Sequence, residues 1–171
     1  TIDGLIPALR NTEYAIHPGV ELFPVYQEEI VLALHKDVLE QVCGMPAEEA
    51  KQKVASQGVA VLGDCPFVLG TLDDIAGRIA YSVLRNAGIK PSIVATSENM
   101  GTLLGMAQEG LGAVFCPTNI LNAAFGIDDS LIQIPLSEQT KYTISLGIPL
   151  KNEQWTAIGA LKNVLQEYSR Q

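Results

Sequence analysis

Between Pro66 and Phe125 the sequence alternates three times between a short apolar run and a helical pattern, with only a few residues at each change. Strands alternating with helices across loops that short argue for parallel strands. Right-handed crossovers then join them in an α/β layered architecture. The alternation begins at Phe67-Val68-Leu69, introduced by Pro66 and closed by Gly70. Thr71 follows as an N-cap, with Asp73 and Asp74 in the first turn. Leu72, Ile75, Ile79, Val83 and Leu84 then recur at helical spacing until Asn86 and Gly88 end the pattern.

A strand over Ser92 to Ala95 comes next, then a helix of about Asn99 to Glu109 with Met100, Leu103, Leu104 and Ala107 inward, stopped by Gly110. Gly112 to Cys116 reads as a strand ended by Pro117, and Thr118 can cap a helix from Asn119 to Phe125. Upstream, Val20 to Leu34 is one long kinked strand whose second half, Ile30 to Leu34, is apolar enough to be buried on both faces. Pro46, Glu48, Glu49 and Gly58 bound a short peripheral helix. Leu131 to Leu136 and Tyr142 to Leu150 are two further strands. Asn152 caps a terminal helix with Trp155, Ile158, Leu161, Leu165 and Tyr168 in one stripe.

Composition limits what such a fold can do. With 171 residues, 47% apolar and 18% charged, the chain can bury a core without staples. The net charge is −8 and the eleven Lys and Arg are scattered, so the surface repels nucleic acid rather than gripping it. Cys43, Cys65 and Cys116 form no CxxC pair, which points away from a disulfide framework or a zinc site and toward the cytoplasm. No apolar run reaches the roughly 18 to 20 residues that span a bilayer, so no membrane partner is expected. Thr1 in place of Met, followed by the end of a strand and a turn, sets the expectation that the chain starts inside a domain.

Enzyme signatures are missing. His17 precedes Pro18-Gly19 in a turn and His35 stands at a strand end, both read as solvated loop residues without a ligand partner at metal spacing. There is no GxSxG elbow, and Cys116 in Phe-Cys-Pro reads as a small buried hydrophobe. Gly110-Leu111-Gly112 has the look of a phosphate loop but follows a helix and leads into a strand, the reverse of the dinucleotide order. No catalytic residue, cofactor or metal is therefore expected. What stands out instead are the strand-to-helix junctions Gly70-Thr71, Thr96-Ser97-Glu98-Asn99 and Pro117-Thr118-Asn119. In an open α/β sheet they share the carboxyl edge, where helix N–H groups and hydroxyls can hold a small ligand. Each helix also needs a cap, so capping alone explains any single junction as well as a ligand does.

The run Pro66 to Leu69, the helix ending in Asn86-Ala87-Gly88-Ile89, Lys90-Pro91-Ser92-Ile93-Val94, and Gly110-Leu111-Gly112-Ala113-Val114-Phe115-Cys116-Pro117 together resemble the effector-binding domain of LysR-type transcriptional regulators. Glu21 to Leu32 looks like that family's crossing strand and Leu131 to Pro135 like its return. The resemblance implies a type 2 periplasmic-binding-protein fold: two α/β lobes with mixed sheets, joined by two crossover strands, with an inducer in the cleft between them. The first lobe would comprise 1–28 and 135–171 and the second 29–134. Ligand-binding residues would be Gly4, Gln27, Glu28, Gly70, Thr71, Ser97, Glu98 and Pro117, with Thr71 foremost.

The implied partners are a small polar inducer and a second copy of the chain. A homodimer is expected, with a tetramer open to the full-length protein. DNA would be reached only through an amino-terminal winged helix-turn-helix that this chain lacks. The family's opening strand-helix pairs also have no counterpart here, which would leave the first lobe incomplete, and 38–63 is longer and more helical than usual. Two rivals share the fold: an exported solute-binding protein of a transporter, and an enzyme such as a dehydratase or ring-assembling transferase.

Overall fold

The computed structural model describes residues 8–10, 19–124, 130–136, 140–150 and 155–168. The chain forms two compact units: Thr1–Glu28 with Lys141–Gln171, and Glu29–Thr140. It passes between them twice, at Glu28–Glu29 and Thr140–Lys141. The second passage lies later than the expected boundary at Pro135, because the second unit runs on to Thr140, which is fully buried.

In the first unit, β1 (Ala8–Arg10) pairs antiparallel with the late strand Lys141–Pro149, Leu9 opposite Thr143. That late strand in turn flanks β2 (Val20–His35). The Leu150 N–H donates to the Gly19 carbonyl at 2.9 Å and closes the end of this sheet. The terminal helix Thr156–Tyr168 reaches β2 through Lys162, whose Nζ lies 3.3 Å from Glu21 Oε2 and 5.4 Å from the centre of the Phe23 ring. Of its expected stripe, Ile158 and Leu165 are half-buried while Trp155 and Leu161 stay exposed. The expected cap Asn152 and the His17 turn lie outside the described residues, as does the Tyr168 side chain.

The second unit is built on the latter half of β2. Ile30 to Leu34 are no more than 3% exposed, as an apolar run covered on both faces should be. Helix α1 (Lys36–Gln41) follows at once, and His35 is its N-cap, Nδ1 accepting the Asp37 N–H at 3.2 Å. His35 is thus a helix cap rather than a solvated loop residue, a role open to its neutral ring because one nitrogen then accepts. Next come α2 (Ala47–Gln57), a 3₁₀ turn at Val59–Leu62, and β3 (Pro66–Leu69). Then follow α3 (Ile75–Asn86), β4 (Ser92–Thr96), α4 (Met100–Gln108), β5 (Val114–Pro117), α5 (Thr118–Ala124) and β6 (Leu131–Ile134). The late strand and terminal helix of the first unit are β7 and α6.

β3 and β4 are parallel, with Phe67 opposite Ile93. A parallel bridge from Phe67 to Ala113 places the approach to β5 on the other side of β3. β2 then runs antiparallel between β5 and β6, Leu32 facing Phe115 on one side and Ile134 on the other. The side chains alternate as a strand period of two requires. Val31, Ala33, Val68, Val114 and Cys116 point to one face and pack with Leu103, Leu104, Ala107 and Leu121 of α4 and α5. On the other face Phe67 and Phe115 stack with ring centres 6.1 Å apart.

Leu32 touches both neighbouring strands with no exposed surface. Leu32→Ala should cost about 2–5 kcal/mol in urea denaturation, through lost burial and the cavity left behind. Val94→Ala on the exposed strand β4, where Val94 is 51% exposed, should change stability by no more than about 0.5 kcal/mol.

Candidate functional site

Two helix ends of the same kind return the chain to the start of the next strand. At the end of α3, Gly88 takes φ +69, its N–H donates to Arg85 O and the Ile89 N–H donates back to Leu84 O, both at 3.0 Å. At the end of α4, Gly110 takes φ +74 and its N–H donates to Ala107 O at 3.1 Å, while Leu111 N–H donates to Met106 O at 3.0 Å. Both are Schellman closures, which a glycine in the left-handed region makes without steric cost. Gly110 is therefore a helix stop and not part of a phosphate loop. Gly112 has a separate reason to be glycine: a Cβ there would lie 2.8 Å from Pro66 O.

With β3, β4 and β5 parallel, their carboxyl ends share one edge of the second unit. The Ser97 N–H donates to Leu69 O at 3.2 Å, so the junctions after β3 and β4 are joined directly. Gly70, Thr71, Ser97 and Glu98 are brought together in this way. Pro117 ends β5 on the same sheet, buried and opposite Ile30. Gln27 and Glu28 lie on β2 as the last residues of the first unit, Gln27 exposed and Glu28 buried. Gly4 lies outside the described residues.

The start of α3 differs from the sequence expectation. Thr71 is not its N-cap. Asp74 is, with Oδ2 accepting the Gly77 N–H at 3.3 Å. Residues 71–74 make a turn first, the Asp74 N–H donating to Thr71 O at 3.2 Å, and Leu72 projects into solvent instead of joining the helical stripe. Aspartate outranks threonine as a cap, and either choice satisfies the same local pattern. The helix N–H that Thr71 was expected to share with a ligand is thus already held by a carboxylate.

Two residues that the sequence reading passed over, Gly77 and Arg78, shape this corner together with Asn99, which it placed at the junction after β4. Gly77 packs its Cα against the Gly70–Thr71 peptide so closely that a Cβ would collide with the Thr71 carbonyl; an isolated glycine inside a helical pattern was its signal. Arg78 Nη1 donates to the Leu72 and Asp73 carbonyls, both at 3.3 Å, and brings a cation to the turn. Asn99 caps α4, its Oδ1 accepting the Thr102 N–H at 2.9 Å, while Ser97 Oγ accepts the Asn99 N–H at 3.1 Å.

With its oxygen accepting from Asn99, the Ser97 hydroxyl keeps its proton for donation, and the half-buried Thr71 hydroxyl offers both donor and acceptor. Asp73, Asp74 and Glu98 supply negative charge here, and Arg78 supplies a cation at the turn. A ligand hydroxyl fits beside α3 better than a second carboxylate, which would meet Asp74 at the helix start. Among the described residues no group of three or more His, Cys, Asp and Glu could hold a metal ion. No helix among them is long and apolar enough to cross a membrane.

Alanine in place of glycine inside a helix ordinarily stabilises by about 0.5–1 kcal/mol. Gly77→Ala should instead lower the denaturation midpoint, because the Thr71 carbonyl occupies the new methyl's place. Asp74→Ala should cost about 1 kcal/mol as a lost N-cap, and Asp73→Ala, whose side chain caps nothing, no more than about 0.5 kcal/mol.

Comparison with known proteins agrees with this architecture. The family described as LysR substrate binding domain matches residues 8–170. No curated protein matches the chain closely enough to count as a relative. Among solved structures, the regulatory domain of Synechocystis PCC6803 CcmR in complex with 2-PG is similar at TM-score 0.73 and 10% identity, over 96% of this chain and 72% of that one. The effector binding domain of QuiR in complex with shikimate is similar at TM-score 0.63 and 15% identity, over 92% and 69%. Full-length CbnR complexed with its target DNA is similar at TM-score 0.59 and 20% identity; 90% of this chain is covered, but only 49% of that one, so the chain spans about half its length. The fold is the α/β type 2 periplasmic-binding-protein fold, and the chain belongs to the LysR substrate binding domain family.

Proposed function

We propose that this chain is the inducer-sensing domain of a LysR-type transcriptional regulator and that its ligand is a small hydroxylated metabolite. The ligand is held at the carboxyl edge of the second unit by Thr71 and Ser97, against the backbone of Gly70. Glu98 and Pro117 border that seat. The observation that carries this reading is the hydrogen bond from Ser97 N–H to Leu69 O, which fixes two polar helix-start junctions side by side. CcmR and QuiR, similar in fold, hold 2-PG and shikimate in their structures. Both are small and oxygen-rich.

No bond is made or broken in this function. The ligand favours whichever arrangement of the full-length regulator it binds more tightly, and so biases contact with DNA by an amino-terminal domain. Pairing with a second copy gives that bias a partner to act on. The family is one of regulator domains and not of enzymes or exported solute carriers, which favours this reading over both rivals.

A ligand at 100 times its Kd stabilises the folded state by about 2.7 kcal/mol, enough to show as a thermal shift. Screening the protein against a panel of small oxygen-rich metabolites, shikimate and 2-PG included, should yield at least one such shift. Thr71→Val should abolish it without moving the ligand-free midpoint. A full shift in that variant removes Thr71 from the seat.

A further inference from the structure

β4 (Ser92–Thr96) has β3 on one side, and among the described residues no strand lies on its other side. That free edge presents backbone N–H and C=O groups for which these residues provide no ladder partner. The side chains are as open as the backbone. Ser92, Ile93, Val94 and Thr96 are exposed, Ile93 at 41% and Val94 at 51%, whereas every residue of β5 is buried. A register shift accompanies this exposure. Phe67 is opposite Ile93 and Val68 opposite Ala95, so Val94 is an extra residue with no counterpart on β3. Such a bulge breaks the alternation of a strand, and here two neighbouring apolar side chains stay outside the core. Charge frames the pair. Lys90 lies four residues before Val94 and Glu98 four residues after it, both exposed. Among the described residues neither has an ion-pair partner within the chain. Edges that must stay single carry lysine or proline inside the strand; Ser92 to Thr96 has neither.

We propose that β4 is the docking edge for a second copy of this chain, the two β4 strands lying antiparallel across a two-fold axis near Val94. A strand reversed about its own centre meets itself with its ends exchanged. Lys90 of each copy then comes beside Glu98 of the other, giving two equivalent contacts between opposite charges, while Ile93 and Val94 cover their counterparts. A parallel approach would set Lys90 against Lys90 and Glu98 against Glu98, which repel. The charge order along the edge is therefore complementary to itself when reversed, and this selects a second copy over an unrelated extended segment. A single strand edge sits at the low end of interface sizes, so the pair is weak and comes apart on dilution. This surface rests on the pairing with a second copy proposed above and needs no ligand.

Sedimentation velocity from low to high micromolar concentration should show a monomer passing to a dimer, and added salt should weaken that dimer by screening the two exposed contacts. Val94→Lys should remain a monomer throughout, with its denaturation midpoint at low concentration unchanged. Lys90→Glu alone and Glu98→Lys alone should each weaken the dimer about tenfold, because like charges then meet at both ends. Mixed in equal amounts, these two variants restore both contacts and should pair as tightly as the unaltered chain. A monomer at every concentration overturns the proposal. So does a dimer that Val94→Lys and both charge reversals leave intact, which places the partner on another face, or a mixture that pairs no better than its components. The thermal shift with a metabolite reads the ligand seat separately, so failure of this surface and failure of the seat are told apart.

Discussion

Ala113 donates its N–H to Pro66 O at 2.8 Å and accepts the Val68 N–H at 2.9 Å. That exchange sets β5 beside β3, and because the two strands are parallel it commits both to end at one edge. It is possible only because Gly112 carries no side chain: a Cβ there would meet Pro66 O, Pro66 C and Phe67 N at 3.1 Å or less. Phe67 stacking on Phe115 and the burial of Val68 against Val114 and Cys116 follow from the same registration. Shifted by one residue, every one of these side chains would face the wrong layer.

From that edge the rest of the candidate seat follows by local chemistry. Gly88 and Gly110 turn their helices back toward the next strand, so each strand starts at the far side and finishes at the seat. Asp74 and Asn99 occupy the first turns of α3 and α4, satisfying N–H groups that would otherwise be orphaned. What they leave for a guest is a pair of hydroxyls and the backbone around Gly70. A site of that kind suits a ligand that trades its own hydroxyls for those of water, with hydrogen bonds each worth about 0.5–1.5 kcal/mol net.

Much of this was legible in the sequence because it rests on local signals. The apolar run at Ile30–Leu34, the glycines that end α3 and α4, and the alternation from Pro66 onward all reappear as elements, with shifts of a residue or two at their ends except at the start of α3. The start of α3 was not legible. Thr71, Asp73 and Asp74 all look like caps, and only the packing of Gly77 on the Thr71 carbonyl decides that a turn comes first. His35 was misread for a similar reason, since a histidine caps a helix less often than it decorates a loop.

The reading as a sensor needs the two junctions to act as one seat in solution. With a ligand that stabilises the protein in hand, titration followed by ¹⁵N–¹H correlation spectra tests this most directly. Backbone amides at Gly70, Thr71, Ser97 and Thr102 should shift together along a single binding curve. If those amides stay still while the ligand saturates, and the perturbed resonances lie elsewhere, the seat is not where the carboxyl edge puts it.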